Sequence, residues 1–292
     1  MTTIMAAVAD DGAAEAVISR ASELASAPGT KMFVLHVVED KALIFAEAMS
    51  QGAVADLRPQ LVAEAEKTLA RLKATPGGKV SETRVEMGTP HEVILRVADQ
   101  IGAAIIVTGP GAPQNLREKV LGSTADRVVR AASLPVLVVR RHAAGAYRRV
   151  AAAVDVGASA ALEPVLSAAL RVAPEADIEV LHFAGVPRRF EEALRRTATS
   201  EAEISAFREA RRRAAKQELT RLMKGRTDRQ RMTLSVRTGE PARALVRLSR
   251  SPDVDLVVLG PHAHNAVMRT LLGSVAQTVL RSATCDVLIA RN

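Results

Sequence analysis

The chain repeats itself. Met87-Gly88-Thr89-Pro90 returns as Thr238-Gly239-Glu240-Pro241, residues 104–110 return as 255–261, and Leu121-Gly122-Ser123 returns as Leu272-Gly273-Ser274. These three matches share an offset of 151 residues, whereas Val8 with Val154 and Leu35-His36 with Leu181-His182 share an offset of 146. The second copy therefore carries five extra residues between His182 and Gly239. An internal repeat of this kind means that one folding solution is used twice. The seam falls at residues 141–146 and predicts two domains, 1–142 and 146–292, each of ordinary single-domain size.

Within one copy, short runs rich in Val, Ile and Ala alternate with stretches of helical period. The first copy predicts strands at 4–9, 32–38, 80–86, 104–109 and 136–140. Several are apolar throughout, which suits strands covered on both faces. Val17, Ala21 and Leu24 share one helix face, as do Leu162, Leu166 and Ala169 in the second copy. Thr89-Pro90-His91-Glu92 reads as a helix start, with Thr89 as N-cap, proline at the first turn and Glu92 completing a capping box. Alternating strands and helices predict an α/β fold of two tandem doubly wound five-stranded parallel-sheet domains, with right-handed crossovers. Such sheets bind ligands beyond the carboxyl ends of the strands, where the strand order reverses. The last strands, 136–140 and 287–290, are expected at sheet edges, which pair readily.

The fourth strand ends in Gly109-Pro110-Gly111-Ala112; nine residues follow, and then Gly122-Ser123-Thr124 opens a helix. The second copy runs Gly260-Pro261-His262-Ala263, then Gly273-Ser274. A small-residue turn lets backbone approach a phosphate, and a helix start presents free N–H groups with the positive end of the dipole. Hydroxyls at Ser123, Thr124 and Ser274 can add hydrogen bonds. The third glycine of a dinucleotide fingerprint is missing, because residue 114 is Gln, and no Gly-Lys-Ser/Thr P-loop occurs.

On these residues the chain resembles the universal stress protein family, whose nucleotide-binding members carry Gly-x2-Gly-x9-Gly-Ser/Thr. The strand-end His36-Val37, the Gly-x-Pro turns at Gly88 and Gly239 and the Leu-Gly-Ser helix starts strengthen the likeness, which covers nearly the whole chain twice. The resemblance implies the adenine nucleotide α-hydrolase-like fold, a stress-response or regulatory role, and ATP, ADP or AMP bound with or without Mg2+ where strands one and four part in one or both domains. It places the phosphates on Gly109, Ala112, Gly122, Ser123 and Thr124, or on Gly260, Ala263, Gly273 and Ser274. The adenine falls near Val37 or Phe183, and the ribose near Ala9 and Asp10, or Asp155. It also implies pairing of the two domains within one chain, with chains then dimerising.

The chain departs from the family pattern at several of these positions. Ala112 and Ala263 stand where the family has its second glycine. The acid expected after the first strand is Asp155 in the second copy but Ala9 in the first, followed by Asp10 and Asp11. The adenine-side residue is Val37 in the first copy and Phe183 in the second. A second reading therefore stays open: a motif-degenerate scaffold that binds no nucleotide and acts through protein or polyanion contacts. No general base or nucleophile stands out, so hydrolysis of ATP is expected to be slow and secondary at most.

Composition narrows the field. The lone Cys285 leaves no internal disulfide or all-cysteine metal site and reads as a small buried hydrophobe. No basic leader or apolar run of spanning length is present, which predicts a soluble cytoplasmic protein. With no Trp and one Tyr, base-stacking platforms for nucleic acid are not expected. His36 and His182 read as structural histidines beneath a helix, with a catalytic role as the alternative. His262 and His264 read as loop residues or phosphate contacts before they read as metal ligands. Asp10 and Asp11 suit a ribose or Mg2+, or simply a polar loop. Residues 188–231 hold 14 Lys and Arg against 7 Asp and Glu, nearly the whole +8 excess of the chain. That segment, with Arg211-Arg212-Arg213, is expected to be the solvated face of a long helix, or a docking face for an unidentified acidic partner, nucleic acid or anionic lipid, the last two less expected.

Overall fold

A computed structural model describes residues 2–40, 57–74, 80–111, 121–141, 145–186, 188–197, 199–260 and 272–291. The chain divides into two compact units, Met1–Ala146 with Leu280–Leu288, and Tyr147–Val279 with Ile289–Arg291.

In the first unit the chain runs β1 (Thr2–Val8), α1 (Ala14–Leu24), β2 (Thr30–Val38), α2 (Leu57–Lys73), β3 (Val80–Met87), α3 (Pro90–Gln100), β4 (Ala103–Thr108), α4 (Ser123–Ala131) and β5 (Val136–Val138). The strand order is β3-β2-β1-β4-β5, and β1 pairs in parallel with both β2 and β4. The order therefore reverses at β1, beside β4. Met5, Ala6, Met32, Leu35, Ile106 and Val107 are essentially inaccessible to water, as strands covered on both faces require. From α1, Val17 and Ala21 are buried against the sheet, while Leu24 is only half-buried.

The second unit repeats the plan. It runs β6 (Arg149–Ala153), a 3-10 turn (Val156–Ala161), α5 (Leu162–Val172), β7 (Asp177–Phe183), α6 (Arg188–Arg196), α7 (Glu201–Leu222), a 3-10 turn (Thr227–Arg231), β8 (Met232–Arg237), α8 (Pro241–Leu248), β9 (Leu256–Leu259) and α9 (Ser274–Ser282). Its order is β8-β7-β6-β9, again parallel, with β6 at the reversal. Observed strands match the predicted ones to within two residues at each end.

Two local expectations are corrected. Thr89 is the N-cap of α3 and Pro90 opens the helix, but the Thr89 side chain makes no capping hydrogen bond. At the equivalent start of α8, the Glu240 carboxylate accepts from the N–H groups of Ala242 and Arg243 instead. A full capping box appears at Ser200, which accepts from the Glu203 N–H while Glu203 accepts from the Ser200 N–H. That box divides the basic segment into α6 and α7, so it is not one long helix. The last strand, β10 (Asp286–Ile289), lies next to β5, as expected of two final strands that pair, with Asp286–Leu288 belonging to the first unit.

Asp286 anchors that strand. It is 1% exposed and accepts hydrogen bonds from the backbone N–H groups of Arg140 (2.7 Å) and Arg141 (3.1 Å). The Arg20 guanidinium, also buried, lies 3.6 Å from the same carboxylate and donates to the Gly145 carbonyl. A buried carboxylate is tolerated only with such partners. Cys285 beside it is buried, and its thiol points at the Asp286 carbonyl. Replacing Asp286 with Ala should cost about 3–5 kcal/mol in chemical denaturation, because Arg20 and two backbone donors lose their acceptor.

His36 lies near the end of β2, opposite Val8, and is 9% exposed, with its Nδ1 lacking a hydrogen bond. Burial holds its pKa below the ordinary 6.5, against the weaker upward pulls of the Val8 backbone and of Asp10. The unfolded chain therefore takes up this proton first as the pH falls. The stability associated with His36 is present above about pH 6.5 and is lost below it. The melting temperature should fall between pH 7 and pH 5, and a His36→Gln variant should show a smaller fall over that interval.

Candidate functional site

Each switch point is built by the same close approach. Gly109 follows β4, and a Cβ there would sit 2.9 Å from Cβ of Ala13 at the start of α1. Gly260 follows β9, and a Cβ there would sit 3.1 Å from Val165 Cγ2 of α5 and 3.5 Å from Ala161 Cβ. These glycines let the crossover helix settle onto the strand end, so packing requires them whatever else they do.

In the first unit, Ala9 and Asp10 lie exposed beyond β1, and Val37 is half-buried near the end of β2. Asp10 faces Arg71 at 3.4 Å across solvent. Asp11 accepts from the Ala13 N–H at 3.0 Å, which makes it part of the loop that opens α1. Gly111 adopts φ +80°, open to glycine without strain. Its backbone turns back so tightly that the Gly122 N–H donates to the Pro110 carbonyl at 2.6 Å. A Cβ on Gly122 would meet Gly111 Cα at 3.1 Å and that carbonyl at 3.2 Å. Gly122 is the N-cap of α4, and Ser123 and Thr124 form its first turn, where N–H groups lack intrahelical acceptors. Strand end, glycine turn and helix start thus converge. Ala112 lies outside the described residues.

In the second unit, the corresponding groups line one cavity of about 450 Å3. Asp155 closes β6 and accepts from the Gly157 N–H at 3.0 Å, capping the 3-10 turn that leads into α5. Phe183 ends β7, Gly260 ends β9, and Gly273 with Ser274 opens α9; all line the cavity together with Asp155. Val165, Leu245 and Leu259 supply apolar wall. His182 stands at the rim with Nδ1 3.1 Å from the Val154 carbonyl, 3.4 Å from the Val156 N–H and 4.0 Å from Asp155. It donates to Val154 in one tautomer and accepts from Val156 in the other. Ala263, His262 and His264 lie outside the described residues.

The structure therefore gathers Asp155, Phe183, Gly260, Gly273 and Ser274 into one concavity, and sets Gly109, Gly122, Ser123 and Thr124 around the first turn. It adds Pro241 and Leu245 to the second-unit wall. Sequence reading assigned neither a role at the site; the helical spacing of α8, with Ala242 and Leu245 buried, was the available signal. Volume and lining suit a small ligand with one apolar and one polar end. Among the described residues, no group of three metal-binding side chains occurs, and no helix is long and apolar enough to cross a membrane.

The universal stress protein family model matches residues 1–140 and again 146–291. A universal stress protein of Methanocaldococcus jannaschii is 27% identical over 143 residues, covering 44% of this chain and 88% of its own length. A solved universal stress protein from Archaeoglobus fulgidus superposes with a TM-score of 0.66 at 16% identity, over 99% of this chain and 96% of that one. A putative universal stress protein from Pseudomonas aeruginosa gives 0.64 at 20% identity, over 100% and 93%. Two full matches of the family model, on a strand order that reverses beside a glycine turn in each unit, make this chain a tandem member of the universal stress protein family.

Proposed function

We propose that this protein is a stress-response regulator that binds ATP or a related adenine nucleotide beyond the carboxyl ends of β6 and β9 in its second unit. The observation that carries the reading is the cavity of about 450 Å3, in which a carboxylate, an aromatic ring and a glycine–serine helix start face one space. The three groups match the three parts of the ligand. Asp155, with its second oxygen directed away from Gly157, can accept from ribose hydroxyls. Phe183 and the apolar wall give the base a surface excluded from water. The first-turn N–H groups of α9 and the Ser274 hydroxyl can donate to phosphate oxygens, helped by the helix dipole.

Among the described residues of this lining, Asp155 and His182 are the groups able to act as a base, and each is engaged with backbone, which supports a reading of binding and signalling. The Gly122 N–H already serves the Pro110 carbonyl, so the first-unit turn has one fewer donor to offer a phosphate. The reading favours the second unit on the cavity that gathers Asp155, Phe183, Gly260, Gly273 and Ser274.

Thermal denaturation with ATP, ADP and AMP, each with and without Mg2+, tests the reading. A ligand at 100 times its dissociation constant should add about 2.7 kcal/mol of stability. No stabilisation at millimolar nucleotide, in protein free of copurified ligand, would overturn it. Asp155→Ala and Ser274→Ala should each weaken nucleotide binding several-fold, as titration calorimetry would measure. Ser123→Ala in the first unit should leave the affinity unchanged.

A further inference from the structure

The basic face of α7 has its own geometry. Several arginines of α6 and α7 are spent on neighbouring carboxylates. Arg208 grips Glu191 through two bonds of 2.6 and 2.8 Å, Arg212 pairs with Glu209, and Arg221 with Glu218. These contacts hold the carboxyl groups of Glu191, Glu209 and Glu218 below their usual range. Four other cations are placed differently. Lys216, Lys224 and Arg229 make no ion pair among the described residues, Arg213 reaches Glu209 only through longer-range attraction, and all four are exposed. With Gln217, Thr220 and Arg221 they line a groove of about 770 Å3.

Among the described residues, no carboxylate and no aromatic ring lines this groove. Every side chain in it can donate hydrogen bonds, and five are cationic. Unscreened, these like charges repel one another, and an anion in the groove relieves that repulsion. Arg213, Lys216 and Thr220 follow the three- and four-residue spacing of one face of α7, over about 10 Å of helix, and Lys224 stands in the turn just beyond the helix end. Carboxylates close both ends: Glu209 stands one turn before Arg213, and Asp228 stands next to Arg229.

We infer that this groove binds a linear polyphosphate chain. A chain of phosphates offers acceptors and negative charge along its whole length and nothing else, as the lining demands. A duplex nucleic acid carries phosphates on two strands either side of a groove about 12 Å wide, and a single bounded row of cations meets only one of them. Single strands require aromatic faces, which the groove lacks. The N–H donors of an acidic peptide would find acceptors here only at Gln217 and Thr220. A membrane surface requires apolar anchors beside the cations. The exposed pair Phe190 and Phe207, 5.8 Å apart, falls on a different side of α7 by the 3.6-residue period.

The test uses the full chain and linear inorganic polyphosphate of about 15 phosphates, followed by titration calorimetry at several KCl concentrations. Binding should weaken linearly in the logarithm of salt, as counterions are released. The triple variant Arg213→Ala, Lys216→Ala, Lys224→Ala should bind at least about tenfold more weakly, and the salt slope should drop by about three. Its melting temperature should stay that of the parent, since all three side chains are exposed. A control with Arg189, Arg195 and Arg196 changed to Ala should keep full affinity. Absence of polyphosphate binding at 50 mM salt would overturn the inference. So would equal loss in the control variant, or binding of a 20-base-pair duplex or of anionic vesicles as tight as that of polyphosphate. The groove is separate from the cavity beside Asp155, so the nucleotide response of the triple variant should match the parent, and either reading can fail alone.

Discussion

A parallel sheet must be covered on both faces, and each covering helix must approach the strand it follows. In this chain that approach is limited at one place per unit, where Gly109 meets Ala13 and Gly260 meets Val165 and Ala161. Any side chain at either glycine would push the first crossover helix off the sheet. The position of that helix sets the entrance to the switch point, and hence where Asp155 and the start of α9 can meet. The site inherits its shape from a packing constraint on the core.

This gives the glycine motif two separable meanings. Its first glycine, Gly109 or Gly260, is needed for helix–strand packing and would be retained by a copy that binds nothing. Its last glycine, Gly122 or Gly273, stands at a helix start, and in the first unit a Cβ there would also crowd Gly111 and the Pro110 carbonyl. In the first unit that glycine is already drawn into a short hydrogen bond with Pro110. The motif as read from sequence cannot separate these roles, because both demand the same residue type.

The repeat, the strand order and the placement of each switch point were legible because apolar runs and constant offsets report burial directly. Asp155 and Phe183 could be placed by alignment of one copy on the other. Less legible were features that depend on which of several competing partners wins. Thr89 stands in a good capping sequence yet makes no cap, while Glu240 at the same repeat position caps with both oxygens. Ser200 and Glu203 form a box within what charge alone marked as one uninterrupted helix. Asp286 was invisible as an anchor, because its partners Arg20, Arg140 and Arg141 lie more than a hundred residues away in sequence.

The two copies have diverged where the fold permits. Core positions such as Val17 and Val165, or Leu35 and Leu181, stay apolar because both sheets bury them. The turn after the first strand does not stay constant: the second copy inserts the 3-10 segment Val156–Ala161, capped by Asp155, where the first opens α1 directly on Asp11. The connection after the second strand in the second copy carries α6 and α7 and most of the net charge of the chain. A tandem chain keeps one framework under packing selection in both halves, which leaves the connections of the second half free to hold a cavity with a carboxylate at one place and a row of exposed cations at another.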